Sequence, residues 1–375
     1  SVFDSLHLSG ARAVSGLQTG LMPLAQPLML LSDFGHPVSA FIIAFPLCYA
    51  LNSHLGLTVL WSAAFSEWLN GLLKWALHGE RPYWWVGERL RQVNLTLAQF
   101  PQTCETGPGS PSGHCMVAAA SWYIPVLYAS QSLPTKSRLA VRYAYFAGIT
   151  ALGVSRCFLA THFPHQAVGG VITGCLLSIV AVKMGSQILR PFALLLLAFL
   201  MFSSSLGVSH CLRQLGLDPD WSIRLAERHC ASSEWISIDT TPLFSIHRDI
   251  GAILGAAFSS FLASLLPVPA PSRTVTKCFA GFLSMCACVL LEKRFQPKPG
   301  FSDLQTYLFA AFKYALMPLI VTIVLPVLAA KLDSRRLANA GRGSHHAVRP
   351  HAARHGTATA AAKPPSKQSA AKKER

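Results

Sequence analysis

The sequence predicts an all-α, polytopic integral membrane protein with about nine transmembrane helices and a disordered basic C-terminal tail. Three observations predict it. Of 375 residues, 51% are apolar and only 13% charged, against roughly 25% charged in an average soluble domain. The mean hydropathy is +0.39. Apolar runs long enough to cross a bilayer recur along the chain. Together these exclude an ordinary cytosolic globule and also a disordered polymer, which needs low hydrophobicity.

A net charge of +16 would ordinarily raise the question of nucleic acid. From Lys331 onward, however, eleven Lys and Arg face only Asp333 and Glu374, so +9 of that charge sits in the last 45 residues. The basicity belongs to a tail, and no nucleic-acid partner is expected. The chain therefore divides into a membrane domain, 1–330, and a basic tail, 331–375, poor in large apolar residues.

Spanning a hydrocarbon core of about 30 Å takes roughly 20 apolar residues. On that ruler the spans are 28–50, 56–76, 114–132, 143–161, 166–183, 190–208, 250–266, 276–291 and 304–330. The first contains Asp33, Gly35 and Pro37, which predict a kink or a late start. The N-terminal stretch lacks the basic-then-apolar pattern of a cleaved signal peptide. The ten cysteines include no CxxC pair, so neither a zinc site nor a dithiol motif is expected. Cys211 and Cys230 share one polar loop and are candidates to pair in an oxidising lumen.

Loop charges set the orientation. Loop 133–142 holds Lys136, Arg138 and Arg142, loop 183–190 holds Lys183 and Arg190, and loop 267–277 holds Arg273 and Lys277, all without acids. With the tail they form one set of alternate loops, which the positive-inside rule places in the cytoplasm. Loops 77–113, 209–249 and 292–303 then face outside or a lumen. The sequon Asn94-Leu95-Thr96 falls in the first of these, so Asn94 is the expected glycosylation site.

Three clusters lie at the lumenal ends of spans. Lys74 precedes Arg81-Pro82 by six intervening residues and is followed by Tyr83-Trp84-Trp85; Pro111-Ser112-Gly113-His114 ends a glycine-rich loop; Ser155-Arg156 precedes His162 by five. Singly, a lysine or arginine at a helix end is a snorkelling anchor and the aromatics an interfacial belt. Jointly they make a phosphate site. Guanidinium forks match phosphate oxygens, and Ser112-Gly113 before a helix offers free backbone N–H groups to an anion. Of two histidines, one can attack phosphorus while the other protonates the leaving oxygen. No Asp/Glu cluster suited to Mg²⁺ accompanies them, so neither metal nor cofactor is expected.

The pattern Lys-x6-Arg-Pro, Pro-Ser-Gly-His, Ser-Arg-x5-His resembles the tripartite signature of the type 2 phosphatidic acid phosphatase superfamily, which includes lipid phosphate phosphatases and vanadium haloperoxidases. The longer strings GERPYWWV (79–86), CETGPGSPSGH (104–114) and SRCFLATHFPHQ (155–166) are similar to the glucose-6-phosphatase catalytic subunit family, as are Glu234-Trp235-Ile236 and Asp239-Thr240-Thr241-Pro242. The likeness covers roughly 28–330. Cys115 and Met116 after the histidine resemble the ubiquitously expressed paralogue more than the liver enzyme.

The resemblance implies His162 as the nucleophile forming a phosphohistidine and His114 as the acid for the sugar oxygen. It implies Lys74, Arg81, Ser112, Gly113 and Arg156 as phosphate ligands. In the wider superfamily an Asp follows the nucleophile by four residues to orient it; here that residue is Gln166, as in the glucose-6-phosphatase family. What orients His162 is therefore open. Asp33 and Glu105 are candidates for that role or for binding sugar hydroxyls, with Thr106 beside them.

The expected function is metal-independent hydrolysis of a hexose 6-phosphate in the endoplasmic reticulum lumen, with a sugar-phosphate transporter supplying that lumen. A lipid phosphate phosphatase is the rival enzyme, and a non-catalytic scaffold or transporter the rival of another class. Lys372-Lys373-Glu374-Arg375 resembles a dilysine retrieval signal, which works only on a cytoplasmic tail.

Overall fold

A computed structural model describes residues 2–266, 268, 273–298 and 300–331, all within one compact unit. The basic tail beyond Lys331, with its dilysine pair, lies outside the described residues. The architecture is helical throughout. In chain order the helices are α1 (Val2–Leu21), α2 (Ala25–Phe34), α3 (Phe45–Leu51), α4 (Ser53–Leu77), α5 (Pro82–Glu88), α6 (Leu90–Val93) and α7 (Gly113–Gln131). There follow α8 (Thr135–Phe158), α9 (Pro164–Ile188), α10 (Pro191–Gln214), α11 (Trp221–His229), α12 (Pro242–Leu265), α13 (Thr274–Arg294) and α14 (Asp303–Leu319). Among the described residues there is no strand, only an isolated bridge between Glu105 and Ser237.

Each of the nine expected spans coincides with helix, the first being α2 and α3 broken between Gly35 and the π-helical turn Ala40–Ala44. Among the described residues, five helices are long and apolar enough to cross a membrane: Pro164–Gly185, Pro191–Gln214, Pro242–Leu265, Thr274–Arg294 and Asp303–Lys331. Of the other long helices, α4 carries the site charges Glu67 and Lys74, and α8 carries Arg156. Side chains of α9 and α10 such as Ile172, Leu176, Phe192 and Phe199 are exposed, the apolar surface that a bilayer covers.

Local chemistry sets the helix ends. Asn52 caps α4 by accepting from Leu55 N, and His78 closes it in the left-handed region at φ 45°. Proline opens α5, α9, α10 and α12, where a missing N–H costs nothing. Pro46 and Pro326 each follow a π-helical turn, Ala40–Ala44 and Ile320–Val324, by two residues. A proline donates no bond to the carbonyl four residues back, and the wider turn relieves its ring clash. Loop 133–142 is shorter than expected because α8 starts at Thr135: Arg138 donates to Ser130 O and Leu133 O, 3.1 and 3.2 Å away, and closes the end of α7.

Two glycine pairs spaced four apart set the closest helix contacts. A Cβ on Gly170 or Gly174 of α9 would strike the Ser112 and Met116 carbonyls of α7, and one on Gly251 or Gly255 of α12 the Ala311 and Ala315 carbonyls of α14. The first contact seats the start of α7 against the start of α9. One core gathers Phe41, Phe45, Leu60, Trp75 and Tyr314; a second gathers Ala11, Val14, Trp84, Trp85 and Phe163 around α1. That first helix is too polar for a span and was not expected. Leu8, Ala11, Val14 and Gln18 recur every three or four residues, the period of an amphipathic helix, and Gln18 Nε2 donates to Phe158 O, 2.7 Å away.

Candidate active site

Four segments converge. The last turn of α4 brings Lys74 and the residue before α5 brings Arg81. Loop 104–112 and the first turn of α7 bring Glu105, Ser112, Gly113 and His114, and the end of α8 brings Arg156. His162 sits in the turn between α8 and α9. There Ala160 adopts φ 55°, and Thr161 Oγ1 donates to Arg156 O at 2.6 Å. His7 of α1 stacks on Phe163 at 4.7 Å, bracing the turn from behind.

His162 is fully buried, and its Nδ1 lies 2.8 Å from Gly109 O. A carbonyl only accepts, so Nδ1 carries the proton and Nε2 keeps its lone pair. Nε2 faces Arg81 Nη1 at 3.4 Å. Burial and then the Arg81 charge hold the imidazole well below its usual range against the pull of Glu105, so it is neutral at pH 7. Gln166 does not touch the ring. Its Oε1 accepts from Phe163 N at 3.0 Å and its Nε2 donates to Glu80 O at 2.7 Å. The candidates for orienting His162 thus give way to a backbone carbonyl.

Arg81 and Arg156 are fully buried. Arg81 is fixed by Gly107 O (2.7 Å), Thr161 O (3.1 Å) and Pro108 O (3.3 Å), and Arg156 by Ser32 Oγ (2.5 Å). Between them lies the Glu105 carboxylate, paired to Arg81 Nη1 at 2.9 Å and tightly to Arg156 Nη2. Its oxygens stand 3.5 Å from His114 Nδ1 and 3.9 Å from His162 Nε2. Burial alone would raise the Glu105 carboxyl, but Arg156 and Arg81 outweigh it and hold it well below the usual carboxylate range. The Glu105 carboxylate thus fills an anion cradle rimmed by both histidines.

Ser112 is buried with no hydrogen-bond partner for its Oγ, and Gly113 leaves no room for a Cβ beyond 3.0 Å from Asn70 Oδ1. Lys74 is buried and lines the same cavity as His114 and Glu105. Thr106 faces elsewhere: its Oγ1 donates to Ser237 O (2.7 Å) and its N to Thr240 Oγ1 (2.9 Å). Asp33 is exposed and accepts from Gln102 Nε2 at 3.2 Å, outside the cradle. Asn94 is exposed at φ 46° after α6. Cys230 pairs with Cys104, not with the exposed Cys211, and so ties the 104–114 loop to the segment after α11. The candidate pairing of Cys211 with Cys230 does not form: Cys211 lies within α10, not in the loop. His36 was not expected: it meets His114 edge-on at 5.0 Å from the break in the first span, where only Gly35 and Pro37 marked an irregularity. Among the described residues no group of three or more His, Cys, Asp or Glu is placed to hold a metal ion.

The PAP2 superfamily pattern matches residues 55–190, the stretch from α4 to α9 that carries every cradle residue. Glucose-6-phosphatase 3 of Mus musculus is 35% identical over 340 residues, 86% of this chain and 95% of the relative. Glucose-6-phosphatase 2 of Homo sapiens is 33% identical over 86% of this chain and 96% of its own. The chain belongs to the glucose-6-phosphatase family. It is accordingly a phosphatase, a phosphoric monoester hydrolase. Glucose-6-phosphatase catalytic subunit 1 of Canis lupus familiaris, 32% identical over 88% of this chain and 96% of its own, is a further member of the family. No solved structure matches the chain. The glucose-6-phosphatase relatives extend the likeness well past residue 190, over the helices that close the site from the far side.

Proposed function

We propose that this membrane phosphatase hydrolyses a hexose 6-phosphate to sugar and inorganic phosphate through a phosphohistidine on His162, on the lumenal face of the endoplasmic reticulum membrane. The observation that carries the reading is the His162 imidazole, protonated at Nδ1 by its bond to Gly109 O, with Nε2 turned toward the buried Arg81. Nε2 attacks phosphorus as the P–O6 bond breaks, and the sugar oxygen takes a proton from His114. Water, giving its proton back to His114, then attacks the phosphohistidine and releases phosphate. Arg81, Arg156, Lys74, Ser112 Oγ and the Gly113 N–H hold the phosphoryl oxygens and offset the charge that develops there. The phosphate displaces the Glu105 carboxylate, which remains beside His114 to stabilise its imidazolium.

The charge of the alternate loops, the exposed Asn94 sequon and the Cys104–Cys230 disulfide, which needs an oxidising compartment, support the lumenal site, the nine-span topology and the cytoplasmic tail. A dianionic sugar does not cross a bilayer unaided, so a transporter would supply it. One observation favours a lipid phosphate instead. An apolar groove lined by Leu31, Ala118 and Leu152 runs one turn from His114 and Arg156. Phosphate release by the purified protein decides between them. Hexose 6-phosphates should be turned over in preference to phosphatidate or lysophosphatidate, and the reverse order would establish the lipid reading.

A further inference from the structure

Beside His114, away from His162, lies a polar recess lined by His36, Glu67, Asn70, Lys74, Ser245 and Arg248 among others, with Pro37 the only apolar side chain. Glu67, Asn70 and Lys74 lie at i, i+3 and i+7 on α4, one stripe running from the cradle down the helix for about 10 Å. Across from it α12 presents Ser245 and Arg248, again three apart. Arg248 and Glu67 pair through Nη2 and Oε1 and are both more than nine-tenths buried. Yet Arg248 Nε has no hydrogen-bond partner, and Glu67 meets, besides Arg248, the fully buried carboxyl of Asp249. Buried charges are expensive unless every donor and acceptor is met. A pair serving packing alone would not leave a guanidinium donor unmet and set two carboxyls side by side next to a recess.

A hydroxyl reaching the pair accepts from Arg248 Nε and donates to a Glu67 oxygen in place of Asp249. Ser245 Oγ, which donates to the Thr241 and Pro242 carbonyls at 3.2 and 3.1 Å, keeps its lone pairs for another. We propose that this recess is the subsite that reads the sugar hydroxyls, with the Glu67–Arg248 pair as its recognition element. The proposal rests on the hexose-phosphatase reading above and adds the residues that make the substrate a polyol. The recess holds about 30 Å³, room for about two waters. Glu105 also lines it, so the shift of that carboxylate on phosphate binding enlarges the room for the sugar.

The test compares glucose 6-phosphate with p-nitrophenyl phosphate, which has no sugar hydroxyl, on Glu67→Gln and Arg248→Lys. The KM for glucose 6-phosphate should rise about tenfold or more, while the KM for the aryl phosphate and the inhibition constant of inorganic phosphate stay within about twofold. Equal changes for both substrates, or none, overturn the proposal. Should a variant fail to fold, the wild-type protein still decides through a series of monodeoxy glucose 6-phosphates. At least one missing hydroxyl should cost about tenfold in kcat/KM, and indifference to all of them overturns the subsite. In a folded Glu67→Gln protein that hydroxyl's removal should cost little more. Wild-type protein that cleaves p-nitrophenyl phosphate but no hexose 6-phosphate would instead overturn the functional reading itself.

Discussion

His162 Nδ1 donates to the carbonyl oxygen of Gly109 at 2.8 Å, so the backbone of the glycine-rich loop, not a carboxylate, sets the tautomer of the proposed nucleophile. Gln166 acts one step removed, holding the Phe163 amide and the Glu80 carbonyl. Gln166→Leu should therefore destabilise the protein by about 1–3 kcal/mol, the cost of unmet buried backbone groups. A lower thermal midpoint should accompany retained phosphoenzyme formation. Loss of labelling in a folded variant would return the orienting role to Gln166.

Glu105 answers two buried guanidiniums, and a phosphate would have to take its place. Glu105→Gln should cost about 3–5 kcal/mol of stability, and vanadate should restore more of it than in the wild type. Inorganic phosphate should inhibit the variant at roughly tenfold lower concentration. The Glu105 carboxyl is depressed in the folded protein, so its contribution is present above the ordinary carboxylate value and lost as pH falls through the folded one. Melting midpoints should hold from pH 7 to about 5 and fall below about 4.5, a fall that Glu105→Gln lacks in part. Weaker phosphate inhibition of the variant would show that the carboxylate does not occupy the phosphate position.

The disulfide predicts a labelling pattern. A maleimide should reach Cys211 in the native protein but neither Cys104 nor Cys230 until a reductant is added. Cys211→Ser should be silent. Cys230→Ser should lower activity by loosening the loop that carries Glu105. Labelling of Cys104 without reductant would refute the bridge.

A general acid matters in proportion to how badly its leaving group departs. His114→Ala should lose glucose 6-phosphate hydrolysis by about 10²–10⁴-fold yet keep much of its activity on p-nitrophenyl phosphate, whose leaving group is stable as an anion. Equal losses on both would remove His114 from the role.

Much of this was legible in the residues. All nine apolar windows emerge as helix, because helix length in a bilayer is dictated by thickness and the period needs no partner to reveal it. The cradle was legible too, because Arg81, His114, Arg156 and His162 keep fixed spacings to helix ends. What escaped depends on distant pairing. Gly109 has no side chain to announce its role, Cys104 lies 126 residues from Cys230, and Asp33 sits in the right stretch of chain but meets Gln102. The recess needs Arg248 from α12, which no local motif ties to Glu67.

The proposed reaction turns on His162 Nε2 taking the phosphoryl group. A rapid acid-free quench of the protein turning over ³²P-labelled glucose 6-phosphate, followed by peptide mapping, tests it most directly. The account predicts one acid-labile, base-stable phosphopeptide containing residue 162, absent in His162→Ala and present in His165→Ala. Phosphate on His114 or His165, or no phosphopeptide despite rapid turnover, would contradict it and leave water as the attacking group.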